Sequence, residues 1–451
     1  MVEIGVIALG VGAIWLQSAV GGYFVLFLMA TQSSLFSPAK LGILPEIVKQ
    51  EALSKANGIM TSTTYLAIIF GTFLASFLTD VTHKNYVVAS LFCIVVALLG
   101  AGSSLCIEKT KAQAKEKRAS VRVLSEIYKT LKKAHHVRYL LPAIIFSAYF
   151  LFIGAYTQMN IIPYVMQSLH LEAIEGGYLF LMTAIGIGVG SFIAGRLSGR
   201  EVELGFVPLA AFGMACALVC LYIFASHFYV VVACLILLGA LGGFYIVPID
   251  SFIQIASPQS DRGQNLAAGN FLSFFGVILA SLLLALLGTV LGMRAATGFL
   301  VVGICTFVIA VILLALMTDQ LLRLCVSLLA KFFWKLRIIG RKKIQKITPA
   351  LLVAERHSWL DTIVVMVALP RRIRYIIPVQ GRFQRGRSSF YRFLRLIPID
   401  ISHFSLKEGP TAHEIEKELG SGHSICLMHP AGQKSGSLEA WVVDLRERVL
   451  L

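Results

Sequence analysis

The chain has 451 residues, of which 57% are hydrophobic and 14% charged, and its formal net charge is +16. Soluble globular chains carry roughly 25% charged residues, so this composition excludes a soluble globular protein. It also lacks the alternating apolar pattern of a membrane barrel.

Apolar runs recur through the first 318 residues, each near the length of about 20 residues that crosses a hydrocarbon core about 30 Å thick. Helices are the expected form, because backbone groups in lipid must bond within their own segment. Ten spans are predicted: 2–18, 22–37, 58–79, 86–106, 138–164, 175–197, 205–225, 228–249, 266–291 and 296–317. The first is read as a span and not as a signal peptide. Glu3 stands where a basic segment belongs, and no small-residue cleavage site follows. The eight cysteines are scattered, with no C-x-x-C pair, so metal and redox chemistry are not expected and buried small hydrophobes are.

Charge sets the orientation. Ten basic residues fall between Lys109 and Arg138, and residues 319–451 hold 22 Lys and Arg against 11 Asp and Glu. Positive loops stay in the cytoplasm. That puts Lys40, Lys49, Arg196, Arg200, Arg262 and the tail inside, with both termini cytoplasmic. The basic tail then has anionic headgroups beside it, so membrane lipid is its expected partner and nucleic acid is not.

Two stretches echo each other. Phe36-Ser37-Pro38-Ala39-Lys40 leads through Ala56-Asn57-Gly58 into span three. Ile246-Val247-Pro248-Ile249-Asp250 leads through Ala268-Gly269-Asn270 into span nine. The strings from Phe70 to Ser76 and from Phe275 to Ser281 share Phe, Gly, Leu, Ala and Ser at matching places. Span two thus maps onto span eight in the same orientation. A parallel repeat of six-helix units, split by a basic cytoplasmic loop, is the plan of the major facilitator superfamily. On that register the first span is the third of its half, so two helices are expected to be missing, through a fragment, a misplaced start or gene decay.

The string from Ser37 to Glu46, then Ala56-Asn57-Gly58, the glycines from Gly186 to Gly190, and Ala194-Gly195-Arg196-Leu197-Ser198-Gly199 resemble the bacterial lysophospholipid transporters of that superfamily. Glu203 to Pro208 continues the match. The resemblance covers residues 1–318. It implies movement of lysophospholipid, chiefly lysophosphatidylethanolamine, across the inner membrane. It also implies an acyltransferase domain after the spans, as in the bifunctional acylglycerophosphoethanolamine acyltransferases.

The expected fold is therefore an all-α polytopic membrane protein followed by a partial α/β acyltransferase domain. Its parts are the rest of the N-terminal half (1–107), a basic linker (108–137), the C-terminal half (138–318), an interfacial basic linker (319–345) and the tail domain (346–451). Gly186, Gly188, Gly190 and Gly195 are read as packing positions. Lys40 and Asp250 follow the repeated prolines and are expected to pair across the cytoplasmic mouth as a gate, with Arg196 at the same end. The alternative is that each snorkels at a helix end. Tyr156, Gln158 and Asn160 sit in span five as substrate-binding candidates or as interhelical hydrogen-bonding groups. No carboxylate is expected deep in any span, so none is nominated for proton coupling.

In the tail, residues 319–340 read as an interfacial amphipathic helix. Leu351–Ala354 and Ile363–Val367 read as buried apolar segments, and Arg374–Pro378 and Ser424–Met428 as short strands. Leu351 to Asp361 resembles the first block of glycerolipid acyltransferases, in which a His general base is oriented by an Asp. Aligning Ser358-Trp359-Leu360-Asp361 puts Arg356 at the expected His position and His357 one residue late. His357 and Asp361 share a helix face at this spacing, with the imidazole re-aimed. Ile397-Pro398-Ile399-Asp400 resembles the second block, with Ile401 in place of an Arg. His429-Pro430-Ala431-Gly432-Gln433 resembles the phosphate-binding block, with Ala431 and Gln433 in place of Glu and Arg. An uncharged amide does not give the bidentate grip of a guanidinium.

Three readings follow: a transporter with an impaired acyltransferase tail, an enzyme using the His357–Asp361 pair, or a decayed remnant. No bound cofactor is expected. Acyl-carrier protein or acyl-CoA is the implied donor if the tail is active.

Overall fold

The computed structural model describes residues 2–83, 85–107, 123–137, 139–198 and 202–333, and four strands between Leu351 and Pro430. The chain divides into two compact units, at Met317 and Thr318.

The first unit is helical. α1 (Val2–Trp15) is followed by α2 (Ala19–Ile47), α3 (Leu53–Val81) and α4 (Tyr86–Ser104). Ser18 caps α2 by accepting the Gly21 amide at 3.1 Å, and Asn85 caps α4 through the Val88 amide at 3.3 Å; each satisfies an orphan donor of a first turn. The amphipathic α5 (Val123–His135) leads into α6 (Leu140–Tyr164), α7 (Ala173–Leu197), α8 (Phe206–Ile223), α9 (Phe228–Ala256), α10 (Arg262–Ala285) and α11 (Ala295–Phe333). Single π-turns extend α6 through Leu169 and α10 through Val290. α11 breaks at Met317, which is non-helical.

Nine helices among the described residues are long and apolar enough to cross a membrane, where ten spans were expected. The difference is α1. Its 14 residues rise about 1.5 Å each and fall short of a core about 30 Å thick.

Two span ends also differ. α2 continues through Pro38 and Pro45 to Ile47, and α9 continues through Pro248 to Ala256. Proline is tolerated inside membrane helices because neighbouring groups satisfy the freed carbonyls. Asp250 therefore lies within α9 and not beyond its end, as the predicted span 228–249 had it.

The core belongs mainly to α6–α11. Tyr156, Tyr164, Tyr245 and Phe299 are among its largest fully buried side chains. Tyr164 donates to the Leu221 carbonyl at 2.7 Å and Tyr245 to the Phe146 carbonyl at 3.1 Å, tying α6 to α8 and α9. With no hydrophobic force between helices in lipid, such bonds and close backbone packing hold the bundle.

α7 lies closely against α9. A Cβ added to Gly190 would strike the Ala240 carbonyl, and one on Gly239 would strike that of Thr183. Overpacking typically costs about 1–3 kcal/mol, and here the obstruction is backbone. Gly239→Leu is expected to lower the melting temperature of the detergent-solubilised protein by several degrees. An unchanged melting temperature would contradict this packing.

Most cysteines are exposed, contrary to expectation. Cys93, Cys106, Cys216, Cys305 and Cys325 lie on the protein surface, and Cys234 and Cys426 are buried. The reason is that a spanning helix places apolar residues on its lipid-facing side as well as in its core.

The second unit holds a parallel sheet of β1 (Leu351–Arg356), β2 (Ile373–Val379), β3 (Leu396–Asp400) and β4 (Ser424–Pro430), ordered β1-β4-β2-β3. Cys426 on the inner strand β4 is fully buried, and burial pushes its thiol up to about 12. It is therefore protonated near neutrality and inert as a nucleophile.

Candidate functional site

The helices before α5 meet those after it mainly through α3, which packs against α7 and α9, and through α2, which packs against α10; polar contacts cross there as well. On α3, Asn57 donates to Gln254 Oε1 at 2.8 Å and to Ser251 Oγ at 3.0 Å, both on α9. Gln254 returns a bond to Asn57 Oδ1 at 3.0 Å. All three side chains are buried. The reciprocal amide pair gives the nitrogen and the oxygen of each amide at least one partner at this junction.

Beside this clamp the backbones meet. A Cβ on Gly58 would lie 2.6 Å from the Ser191 carbonyl and 2.8 Å from Gly195 Cα. A Cβ on Gly195 would lie 2.9 Å from the Ser54 carbonyl. On the second crossing, Asn270 of α10 donates to the Ser34 carbonyl of α2 at 3.1 Å, and Leu266 lies against Gly42. These residues occupy the later part of α2, the start of α3, the ends of α7 and α9, and the start of α10. By the sequence orientation this is the end facing the basic loops.

The predicted gate residues lie close to this junction. The expected Lys40–Asp250 pair is not formed in this structure. Lys40 Nζ donates to Thr64 Oγ1 on α3 at 2.8 Å. The Asp250 carboxylate accepts from Ser147 Oγ on α6 at 3.2 Å. The extra turns of α9 past Pro248 put Asp250 opposite α6, while Lys40 faces α3. Arg196 is exposed and rests its guanidinium 4.2 Å from the ring centroid of Phe192, one turn back on its own helix.

The predicted substrate residues on α6 do not converge. Tyr156 is buried against Phe152 and Phe299. Asn160 is buried and donates to the Ala295 carbonyl of α11 at 2.9 Å, so it serves interhelical bonding in this arrangement. Gln158 is exposed on the other side of the helix.

His357 and Asp361 lie outside the described residues. The sheet shows where their segment starts. β1 ends at Arg356, and β4, its parallel neighbour, ends at Pro430, with Glu355 paired to His429 and Arg356 to Pro430. The last residues of β1 and β4, Arg356 and Pro430, thus lie side by side at the carboxyl edge of the sheet.

The asparagines of the clamp were not singled out from sequence. The signal was present in the repeat. Ala56-Asn57-Gly58 and Ala268-Gly269-Asn270 echo each other, and both asparagines reach across to the other helix group.

Among the described residues, nine apolar helices long enough to span, with the early helices joined to the later ones through the Asn57 clamp, make this a multi-pass membrane protein. The chain belongs to the Major Facilitator Superfamily, whose family model matches residues 1–200 and 144–324. It is similar to the lysophospholipid transporter LplT of Serratia proteamaculans, with 28% identity over 54% of this chain and 59% of that protein. It is also similar to the LplT of Citrobacter koseri, with 29% identity over 58% of this chain and 64% of that protein. The chain therefore spans about three-fifths of the length of these curated relatives. Among solved structures, the Escherichia coli fucose:proton symporter FucP aligns with a TM-score of 0.57 at 14% identity, covering 70% of this chain and 81% of that one. A bacterial homologue of the iron transporter ferroportin, solved in an outward-facing state, aligns with a TM-score of 0.52 at 14% identity, over 71% of this chain and 80% of that one.

Proposed function

We propose that this chain moves lysophospholipid, chiefly lysophosphatidylethanolamine, across a bacterial inner membrane. The two helix groups rock against each other, and the contacts at the Asn57 end alternately close and open. The observation that carries the reading is that clamp. A buried interface built from reciprocal amide bonds and glycine contacts is the kind of junction that a rigid-body transition would join and separate. The substrate class is supported by the names of the relatives. The cytoplasmic position of the clamp and of both termini is supported by the positive-inside distribution of Lys and Arg.

A second reading concerns the tail. The paired ends of β1 and β4 favour an acyltransferase-like domain that would re-acylate the delivered lysolipid, using acyl-carrier protein or acyl-CoA as donor and His357 with Asp361 as the candidate base pair. The replacements at Arg356, Ile401, Ala431 and Gln433 favour transport without conversion.

The test supplies radiolabelled lysophosphatidylethanolamine to spheroplasts of a host lacking its own lysophospholipid uptake and acylation. Uptake of label without diacyl product is expected. Uptake with diacyl product would assign acyl transfer to the tail, and no uptake above the empty host would overturn the transport reading.

A further inference from the structure

At 13 residues, α5 is too short to cross a hydrocarbon core about 30 Å thick. Tyr139, left-handed at φ 65°, separates it from α6, so α5 does not continue that span. It packs against α6 and α10. Lys133 Nζ stands 3.8 Å from Asp261, which immediately precedes α10. α5 therefore lies where α6 begins and beside the start of α10, at the level where spans meet water.

Its sides carry different chemistry. Ile127, Thr130, Leu131 and Ala134 recur at helical spacing. Thr130 and Ala134 are buried, and Leu131 packs against the core, so this side faces the protein. Leu124 and Tyr128, one turn apart, are 71% and 68% exposed. Lys129, Lys132 and Lys133 are exposed as well. At 3.6 residues per turn, the Leu124–Tyr128 strip lies between the protein-facing side and Lys132, with Lys129 and Lys133 further round. Glu126 is the one acidic residue of α5 and holds Lys129 at 2.9 Å. A surface pair of that kind contributes little, and three lysines outweigh it.

We infer that α5 is a binding surface for anionic phospholipid, with Leu124 and Tyr128 set among the acyl chains and Lys129, Lys132 and Lys133 against negatively charged headgroups. An apolar strip beside a basic strip is what a helix lying in the lipid interface presents. A tyrosine ring suits headgroup depth, where its hydroxyl stays wet. Charge selects the occupant. The lysine excess favours a headgroup of net negative charge over a zwitterionic one, whose ammonium offsets its phosphate. Such binding would fasten the segment that joins the early spans to the later ones onto the membrane surface. The inference does not depend on which lipid the protein moves.

The test reconstitutes the full chain in phosphatidylcholine vesicles doped with a photoactivatable phosphatidylglycerol or, separately, a photoactivatable phosphatidylcholine. Both probes carry the reactive group near the headgroup, and adducts are located by mass spectrometry. Attraction near a charged surface is worth about fivefold per basic residue, so α5 is expected to be labelled about tenfold more by the phosphatidylglycerol probe. Lys129→Gln, Lys132→Gln and Lys133→Gln combined should bring that ratio close to one. Leu124→Ser with Tyr128→Ser should lower the adducts of both probes on α5. All five side chains are exposed, and unchanged adducts on the spans would show that the variants insert normally. Equal labelling of α5 by the two probes in the wild type would overturn the anionic preference. A ratio unchanged in the lysine variant would overturn the assignment to these residues. Adducts unchanged in the Leu124 and Tyr128 variant would overturn the insertion of that strip. Labelled spans with an unlabelled α5 would show that this face stands in water or is covered by protein, and would overturn the inference outright.

Discussion

Replacing Gly58 with leucine is expected to stop transport while leaving the protein folded in the membrane. The added Cβ would lie 2.6 Å from the Ser191 carbonyl and 2.8 Å from Gly195 Cα. Both obstacles are backbone and do not rotate away. The contact lies between α3 and α7, so its cost falls on the arrangement in which those two helices are closed together. Overpacking costs of about 1–3 kcal/mol change a two-state ratio by roughly five- to a hundredfold. A carrier confined to one state completes no cycle. Two readings check this: uptake of labelled lysophospholipid, and labelling of Ser54→Cys by a membrane-impermeant maleimide. Ser54 is 3% exposed and lies at the same contact, so the Gly58→Leu background should raise its labelling several-fold. Unchanged labelling and uptake would contradict the closed contact.

The second large effect is expected from the amide clamp. Asn57→Leu removes a partner from both Gln254 and Ser251, each fully buried. A stranded buried polar group costs about 1–3 kcal/mol. The closed state should therefore lose roughly five- to a hundredfold in population, with uptake falling several-fold. Asn57→Leu combined with Gln254→Leu should be less harmful than the single change, because removing both partners leaves no stranded amide. Direct neighbours couple in this way and distant sites do not. Losses that simply multiply in the double variant would show that the two amides act independently.

Both predictions come from contacts that hydropathy does not report. The apolar runs were legible because lipid imposes length and composition on every span. The ends of α2 and α9 were not, because proline and charge read as terminators in a sequence and are tolerated where neighbouring helices satisfy the backbone. Ending those spans at Ser37 and Ile249 placed Lys40 and Asp250 outside the membrane helices, where a direct pair was the natural expectation. With the helices running to Ile47 and Ala256, the two charges face different neighbours. The repeat pointed to the right helices but not to the side chains that touch. Lys40 and Asp250 drew attention by charge, whereas Asn57 and Asn270 make the cross-group bonds.

The tail shows a similar division. Arg374–Pro378 and Ser424–Met428 read as strands from their apolar content, and β2 and β4 contain them. Ile397-Pro398-Ile399-Asp400 read only as a motif, and it forms most of β3. The order β1-β4-β2-β3 was not legible, because pairing between β1 and β4 joins segments that are distant in sequence.

The most direct test of the central claim is lysolipid transfer by the purified full chain reconstituted in liposomes. Labelled lysophosphatidylethanolamine is placed in the outer leaflet, and the fraction that becomes inaccessible to extraction by albumin is followed with time. Transfer well above that of protein-free liposomes, reduced to background by Gly58→Leu, is the predicted result. Transfer no faster than in protein-free liposomes would contradict the account.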